Sequence, residues 1–155
     1  MVTERNNWIR ALTAHPVPDL HALAERLAAG CEVRLSRLPQ AGLGLLQLAD
    51  GAFHEAYYLG EFPLSTCSLE LTLADGRRAE GGAQVMADDA ALARSLAILD
   101  AVLAARLPGW ETVSGQVQSG AALRDEEDSR RCAMLAATRV DFALLGNAGE
   151  DDDED

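Results

Sequence analysis

The sequence predicts an α+β fold, with a mainly antiparallel sheet in the middle of the chain and helices before and after it. Between about residues 31 and 87, apolar residues alternate with polar ones, which is the period of a half-buried strand. From Asp88-Asp89 onward the apolar residues recur every three or four positions, which is the period of a helix. The consecutive strand segments, bounded by turn residues, predict a hairpin-rich sheet.

Two short helices are predicted before the sheet. Thr3 can cap a helix that extends to about Ala14, in which Trp8 and Leu12 lie one turn apart. The two prolines of "HPVPD" then end it. In "DLHALAERLAAG" three leucines form one apolar stripe, and Gly30 is placed to end this second helix in the left-handed conformation.

The sheet is predicted to contain about five strands. The candidate segments are "CEVRLSRL", "AGLGLLQLADG", "FHEAYYLGEF", "STCSLELTLADGRR" and "AEGGAQVM". Asp75-Gly76 is a strong signal for a tight turn between the last two. The glycines of the final segment weaken it as a strand.

Two longer helices are predicted after the sheet. Asp88 or Asp89 can cap the first, whose leucines form a core stripe while Ile98 and Val102 make a second side apolar, so we expect it to be covered on more than one side. Pro108-Gly109 ends it, and "TVSGQVQSGA" is expected to be a connector. The last helix is predicted over about 121–145, with the acidic cluster "RDEED" near the positive end of its dipole.

The charge pattern limits the partners and the length limits the number of domains. The chain has 13 basic and 25 acidic residues, a net charge of −12, and its last six residues are all acidic. An acidic body repels phosphate backbones and anionic lipid, so neither nucleic acid nor a membrane is an expected partner. Residues 1–147 are predicted to form one domain and residues 148–155 a disordered acidic tail.

The cysteines and the apolar runs predict a cytoplasmic protein. Cys31, Cys67 and Cys132 are odd in number and lack C-x-x-C spacing, which favours reduced thiols. The N-terminus has no apolar signal core, and no apolar run is long enough to cross a bilayer.

No catalytic residue, cofactor site or metal site is predicted. The three histidines, His15, His21 and His54, show no metal-ligand spacing. Cys67 as a nucleophile with His54 as its base is conceivable, but the place of Cys67 on an alternating apolar face favours a core thiol. The glycines of "AGLG" and "AEGGAQ" lack the order of a phosphate-binding loop.

The segment "LAATRVDFALL" carries two charges in an apolar helix. Steps of about 100° per residue place Arg139 in the middle of a small apolar face and Asp141 nearly opposite it. A buried arginine needs a carboxylate, and Asp100 on the preceding helix is the best candidate within the chain. Alternatively, the stem of Arg139 lies along the apolar surface and its guanidinium reaches water. In the first arrangement, in which a carboxylate holds Arg139, Asp141 is free to meet a partner protein.

The segment "AATRVDF", Ala136 to Phe142, resembles the PhnG family, the G subunit of the bacterial carbon-phosphorus lyase system. Other stretches agree in the same order: Arg5-x-x-Trp8-x-x-x-Leu12 with the family's opening, "GLGLLQL" and "LGE" with its sheet, Asp75-Gly76 with its hairpin turn, and Ala93, Ala97 and Asp100-Ala101 with the helix that follows. The resemblance extends to Asn147. The chain departs from it at Ala87-Asp88-Asp89, where the family has a Gly-Arg-Asp-like step, and in its acidic tail.

The resemblance implies a non-catalytic structural or activating subunit of a cytoplasmic hetero-oligomer with the H, I and J proteins. In such systems the G, H, I and L proteins together displace adenine from ATP and attach a phosphonate to C1 of ribose, which gives ribose 1-methylphosphonate 5-triphosphate from methylphosphonate. The nucleosidase chemistry is assigned to the I subunit, and the iron-sulfur J subunit later breaks the C-P bond. The alternative is a free-standing small enzyme or ligand-binding domain.

Overall fold

Two units make up the chain, Met1–Arg124 and Asp125–Asp155, and the computed structural model describes residues 4–138. After a 3-10 turn at Arg5–Asn7, the first unit contains α1 (Trp8–Leu12), α2 (Val17–Ala28), β1 (Glu32–Ala49), β2 (Ala56–Thr72), β3 (Arg78–Val85) and α3 (Ala90–Ala104). A last helix, α4 (Trp110–Ala137), begins in the first unit and ends in the second. The predicted α+β class is confirmed.

The described sheet has three antiparallel strands in the order β1-β2-β3, so the prediction of about five strands is wrong. The sequence patterns had divided β1 and β2 into two strands each, at Pro39 and near Pro63. β1 continues past Pro39 because it is an edge strand whose register shifts between Arg37 and Gln40, and a proline is tolerated at such an irregular edge. Pro63 lies beyond the end of β3, so its missing N–H has no third strand to bond.

The central element is α3, which is buried on nearly every side. Asp89, one of the two predicted caps, lies at its start. The Asp89 carboxylate accepts a hydrogen bond from the Leu92 N–H at 2.8 Å. The helix contacts the sheet on one side and α2 on another, which confirms that it is covered on more than one side. The core of the first unit therefore lies around α3.

The segment "TVSGQVQSGA" is helical, because α4 begins at Trp110, and the expected connector is wrong. The buried residues Val113, Val117 and Gly120 recur at helical spacing along one side, and this packing outweighs the low helix propensity of the glycines and serines. Arg124 donates to the main-chain oxygens of Arg10 and Thr13 at the end of α1. The rest of α4, residues 125–137, is exposed.

Before the sheet, α1 is shorter than predicted and α2 begins at Val17 with Pro18 in its first turn. Gly30 follows α2 with φ +83, and its predicted left-handed conformation is confirmed. These two helices pack against α3 and supply Leu12 and Leu20 to the core.

Candidate interaction surface

Residues 42–64 form a two-stranded arm that extends past the third strand. The last pair between β2 and β3 joins Ser65 to Val85. Beyond it, residues 42–49 of β1 and 56–64 of β2 pair with each other, from Gly42–Leu64 to Ala49–Ala56, and with no other strand of the described residues. Two strands without a third strand or a helix are at best marginally stable in water. The arm therefore adds little to the stability of the fold, and its length points to another role.

The loop at the tip of the arm is built around Asp50. Its carboxylate accepts hydrogen bonds from the N–H groups of Ala52 and Phe53 at 3.1 and 3.0 Å, and these bonds hold the pKa of Asp50 below its usual value. The main chain closes the loop, because the Asp50 N–H donates to the Glu55 oxygen and the His54 N–H donates to the Asp50 oxygen. The loop is therefore ordered by its own hydrogen bonds, with Phe53 81% exposed.

Apolar side chains cover the arm. The exposed ones are Leu43, Leu45, Leu46, Leu48, Phe53, Tyr57, Tyr58 and Leu59. These eight side chains together expose on the order of 800 Å² over the two faces and the tip of the arm, taking about 200 Å² for a whole aromatic side chain. Each face therefore carries an apolar area on the order of the largest patch of a typical monomer, about 300–600 Å². Such a surface marks a site of interaction with another molecule.

Asp100 lies in a different place, at the outer edge of β3. Its carboxylate, 4% exposed, accepts hydrogen bonds from Arg5 Nε at 3.1 Å and Arg5 Nη2 at 2.7 Å, and another from the Gly82 N–H at 3.0 Å. Arg5 Nη2 also donates to the Glu80 oxygen at 3.4 Å. The hydrogen bond to Asp100 raises the pKa of Arg5. The ion pair thus occupies edge groups of β3 that would otherwise be open to another strand.

Arg139 and Asp141, the other two predicted contact residues, lie outside the described residues. That Arg139 meets Asp100 and Asp141 meets a partner stays a prediction. In the second unit, the described residues before them include the exposed side chains of Cys132, Met134 and Leu135.

The histidines and Cys67 are placed separately. His15 Nε2 lies 2.8 Å from the Gln116 oxygen, and His21 Nδ1 lies 2.8 Å from Ser95 Oγ. His54 is in the loop at the tip of the arm, whereas Cys67 is buried in the three-stranded part of the sheet, where burial raises its pKa. The Cys67–His54 pair considered from the sequence is not brought together.

A groove of about 450 Å³ lies between Trp8 and Trp110 in the first unit. The Arg106 guanidinium stands 5.2 Å from the centre of the Trp110 ring, which is within the range of a cation–π contact. No histidine, cysteine or carboxylate lines this groove. Its described lining therefore offers no general acid or base.

Among residues 4–138, no three His, Cys, Asp or Glu side chains are close enough to share a metal ion. None of the helices in the described range is long and apolar enough to cross a membrane.

Nearly the whole chain matches one known protein family. A profile described as phosphonate metabolism protein PhnG matches residues 3–146. The chain belongs to the PhnG family. It is also 32% identical over 152 residues to a Rhizobium meliloti (strain 1021) protein named alpha-D-ribose 1-methylphosphonate 5-triphosphate synthase subunit PhnG, an alignment that covers 97% of this chain and 92% of that protein.

Sequence reasoning placed the arm's residues in strands but missed their exposure. The signal was the loss of alternation in "LGLLQL" and "AYYL", where apolar residues follow one another directly. A strand with one covered face alternates apolar and polar residues, whereas a strand that is apolar on both faces is covered on both. The two stretches that resemble the sheet of the PhnG family, "GLGLLQL" and "LGE", both lie in the arm of this chain.

Proposed function

We propose that this family member is a structural and activating subunit, without an active site of its own, of the complex that makes ribose 1-methylphosphonate 5-triphosphate. In this role it assembles in the cytoplasm with the H, I and J subunits of C-P lyase, and most directly with the I-type subunit. The L protein joins it in the reaction. The reaction displaces adenine from ATP as the phosphonate bonds to C1 of ribose, with the nucleosidase chemistry on the I-type subunit.

The observation that carries this proposal is the alignment, over nearly the whole length of both proteins, with the Rhizobium meliloti synthase subunit. The exposed apolar arm supports a role in assembly, because a monomer that works alone has no use for such a surface in water. Asp141 is the proposed partner contact near the C-terminus, and Arg139 is proposed to be held by a carboxylate, with Asp100 the candidate.

An omission assay tests the subunit role. The H, I and L proteins of the same organism are mixed with ATP, magnesium and methylphosphonate, with and without this chain, and the ribose 1-methylphosphonate 5-triphosphate formed is measured by phosphorus NMR, because the I subunit could release adenine by hydrolysis alone. We expect synthesis of the ribose phosphonate only when the chain is present. Equal synthesis without the chain would contradict the proposed role.

Calorimetry of the isolated chain with ATP and magnesium tests the alternative, a free-standing enzyme or ligand-binding domain. We expect no heat of binding and no adenine release. A micromolar dissociation constant, or turnover by the chain alone, would favour the alternative.

A further inference from the structure

The arm is apolar on both of its faces. Successive side chains of a strand point to opposite faces, so Leu43 and Leu45 lie on one face while Leu46 and Leu48 lie on the other. The register supports this, because the one irregularity in the arm falls after Leu46 and places the extra residue in β2. All four leucines are exposed, Leu43 at 68% and Leu45 at 60%. A flat partner surface would cover one pair and leave the other in water.

The area of the arm matches a protein interface. Its exposed apolar side chains present on the order of 800 Å², and each partner in a standard interface buries about 800 Å². Three of these side chains are aromatic, Phe53, Tyr57 and Tyr58, the type that most often dominates binding energy.

The charge of the arm points to the chemistry of the partner. Residues 38–64 contain Asp50, Glu55 and Glu61 but no lysine or arginine. A second copy of this chain would bring the same carboxylates together, and the chain's own acidic residues 150–155 would be repelled in the same way. A partner with lysine or arginine beside its apolar surface is attracted instead.

We propose that the arm inserts into an apolar cleft of a different protein subunit, with basic side chains at the rim of the cleft facing Glu55 and Glu61. The proposal rests on the proposed function, because it takes the partner to be a subunit of the same complex. Burial of both faces then stabilises the otherwise marginal two-stranded ribbon.

Paired substitutions on each face test the insertion. The tagged wild-type chain and two double variants, Leu43→Ser with Leu45→Ser and Leu46→Ser with Leu48→Ser, are co-expressed with the H, I and J subunits and purified. Each double variant is expected to lower co-purification by at least about tenfold, as the loss of central apolar contacts does. The matched control is Met86→Ser, which changes an equally exposed apolar residue outside the arm and should have no effect.

Each other outcome has a distinct meaning. Loss with only one of the two double variants would overturn insertion into a cleft, and no loss with either would overturn the arm as the docking element while the proposed function stands. If the wild-type chain brings down none of the subunits, the proposed function fails and this proposal fails with it. A stable dimer of the wild-type chain alone that either double variant abolishes would assign the arm to a second copy.

Zero-length cross-linking tests the basic rim without altering the fold. This chain has no lysine, so a carbodiimide that joins carboxylates to amines links its side chains only to another protein or to an amino terminus. In the wild-type complex we expect amide bonds from Glu55 or Glu61 to lysines of the partner. The variant Glu55→Gln with Glu61→Gln should lose them and should also weaken co-purification, whether the rim carries lysine or arginine. A complex in which neither residue cross-links and this variant co-purifies as well as the wild type would overturn the basic rim.

Discussion

Gly81 in β3 lies against the main chain of α3 at Ala97, and a Cβ built on it would stand 2.0 Å from the Ala97 oxygen and 2.7 Å from the Ala101 Cβ. No side chain fits there unless the sheet and the central helix move apart. Gly81→Ala is therefore expected to lower the free energy of unfolding by at least about 2 kcal/mol, as measured by urea denaturation. The neighbouring Gly82→Ala is the control, because its Cβ would come no closer than 3.7 Å, to Ser68 Oγ. Equal effects of the two substitutions would contradict this account of the packing.

Removal of Arg5 should take a cation away from the buried carboxylate of Asp100. We expect Arg5→Ala to lower the free energy of unfolding by about 1–3 kcal/mol, less than for a fully buried pair because Arg5 itself is exposed. Among the described residues, the hydrogen bond that Asp100 then keeps is the one from Gly82. The control is Arg77→Ala, which breaks an exposed pair with Asp75 and should change the free energy of unfolding less than Arg5→Ala does. Thermal melts of the two variants measure the effects. A small and equal change in both variants would mean that the Arg5–Asp100 pair contributes little to stability.

Two glycines of α4 should respond in opposite directions to alanine. A Cβ on Gly120 would lie 2.1 Å from the Ala11 oxygen, whereas nothing lies within 4 Å of a Cβ on Gly115. Gly120→Ala should therefore destabilise the first unit by at least about 2 kcal/mol. Gly115→Ala should stabilise it by about 0.5–1 kcal/mol, because alanine loses less conformational entropy in a helix. Thermal melts of both variants check the signs, and destabilisation by Gly115→Ala would contradict the packing described.

The three thiols should differ in reactivity. Cys132 is exposed, Cys31 is half-buried and Cys67 is buried, and burial raises the pKa of Cys67 and so lowers its thiolate fraction. With Ellman's reagent at pH 8, we expect Cys132 to react first and Cys67 only on unfolding. Cys132→Ser should remove the fast phase. Rapid modification of two thiols in that variant would contradict the burial of Cys67.

The predicted partnership of Arg139 can be measured by a double-mutant cycle with Asp100. Arg139→Ala should lower the free energy of unfolding by about 3 kcal/mol if a buried carboxylate holds it. If that carboxylate belongs to Asp100, the effects of Arg139→Ala and Asp100→Asn should be non-additive. A coupling energy near zero would exclude Asp100 as the partner.

Asp141→Ala is the counterpart of Arg139→Ala in the segment "LAATRVDFALL". We expect it to leave the thermal melt of the isolated chain unchanged and to weaken co-purification with the I-type subunit, because its carboxylate is proposed to meet that partner. Unchanged co-purification would contradict the contact.

The fold class could be predicted from the sequence because the switch of period at Asp88-Asp89 is local and strong. The strand count could not be, since a proline interrupts the pattern equally at a strand end and at an irregular edge such as Pro39. The start of α4 was also missed, because a local signal gave the wrong answer there too. Local propensity disfavours a helix that contains Gly115 and Gly120, whereas the contact of Gly120 with Ala11 requires the small residue.

The candidate surface was predicted only in part. Asp100 was predicted as the carboxylate partner of Arg139, and its described partner, Arg5, comes from 95 positions away. No periodicity joins residues so distant in the chain. The exposure of Leu43 and Tyr58 was likewise hidden, because an apolar run predicts burial and the sequence does not say which chain covers it.

The separation of Arg5 from Asp100 also sets an order of events during synthesis. The strands of the arm are neighbours in the sequence and can pair as soon as both have left the ribosome, whereas Arg5 must wait until α3 has been made. Until then the edge groups of Glu80 and Gly82 stay free to bond a foreign strand. Binding of Arg5 at the edge of β3 is thus a late step. A nascent or truncated chain that stops before Asp100 leaves backbone groups unpaired on both edge strands, β1 and β3, where another strand can bind.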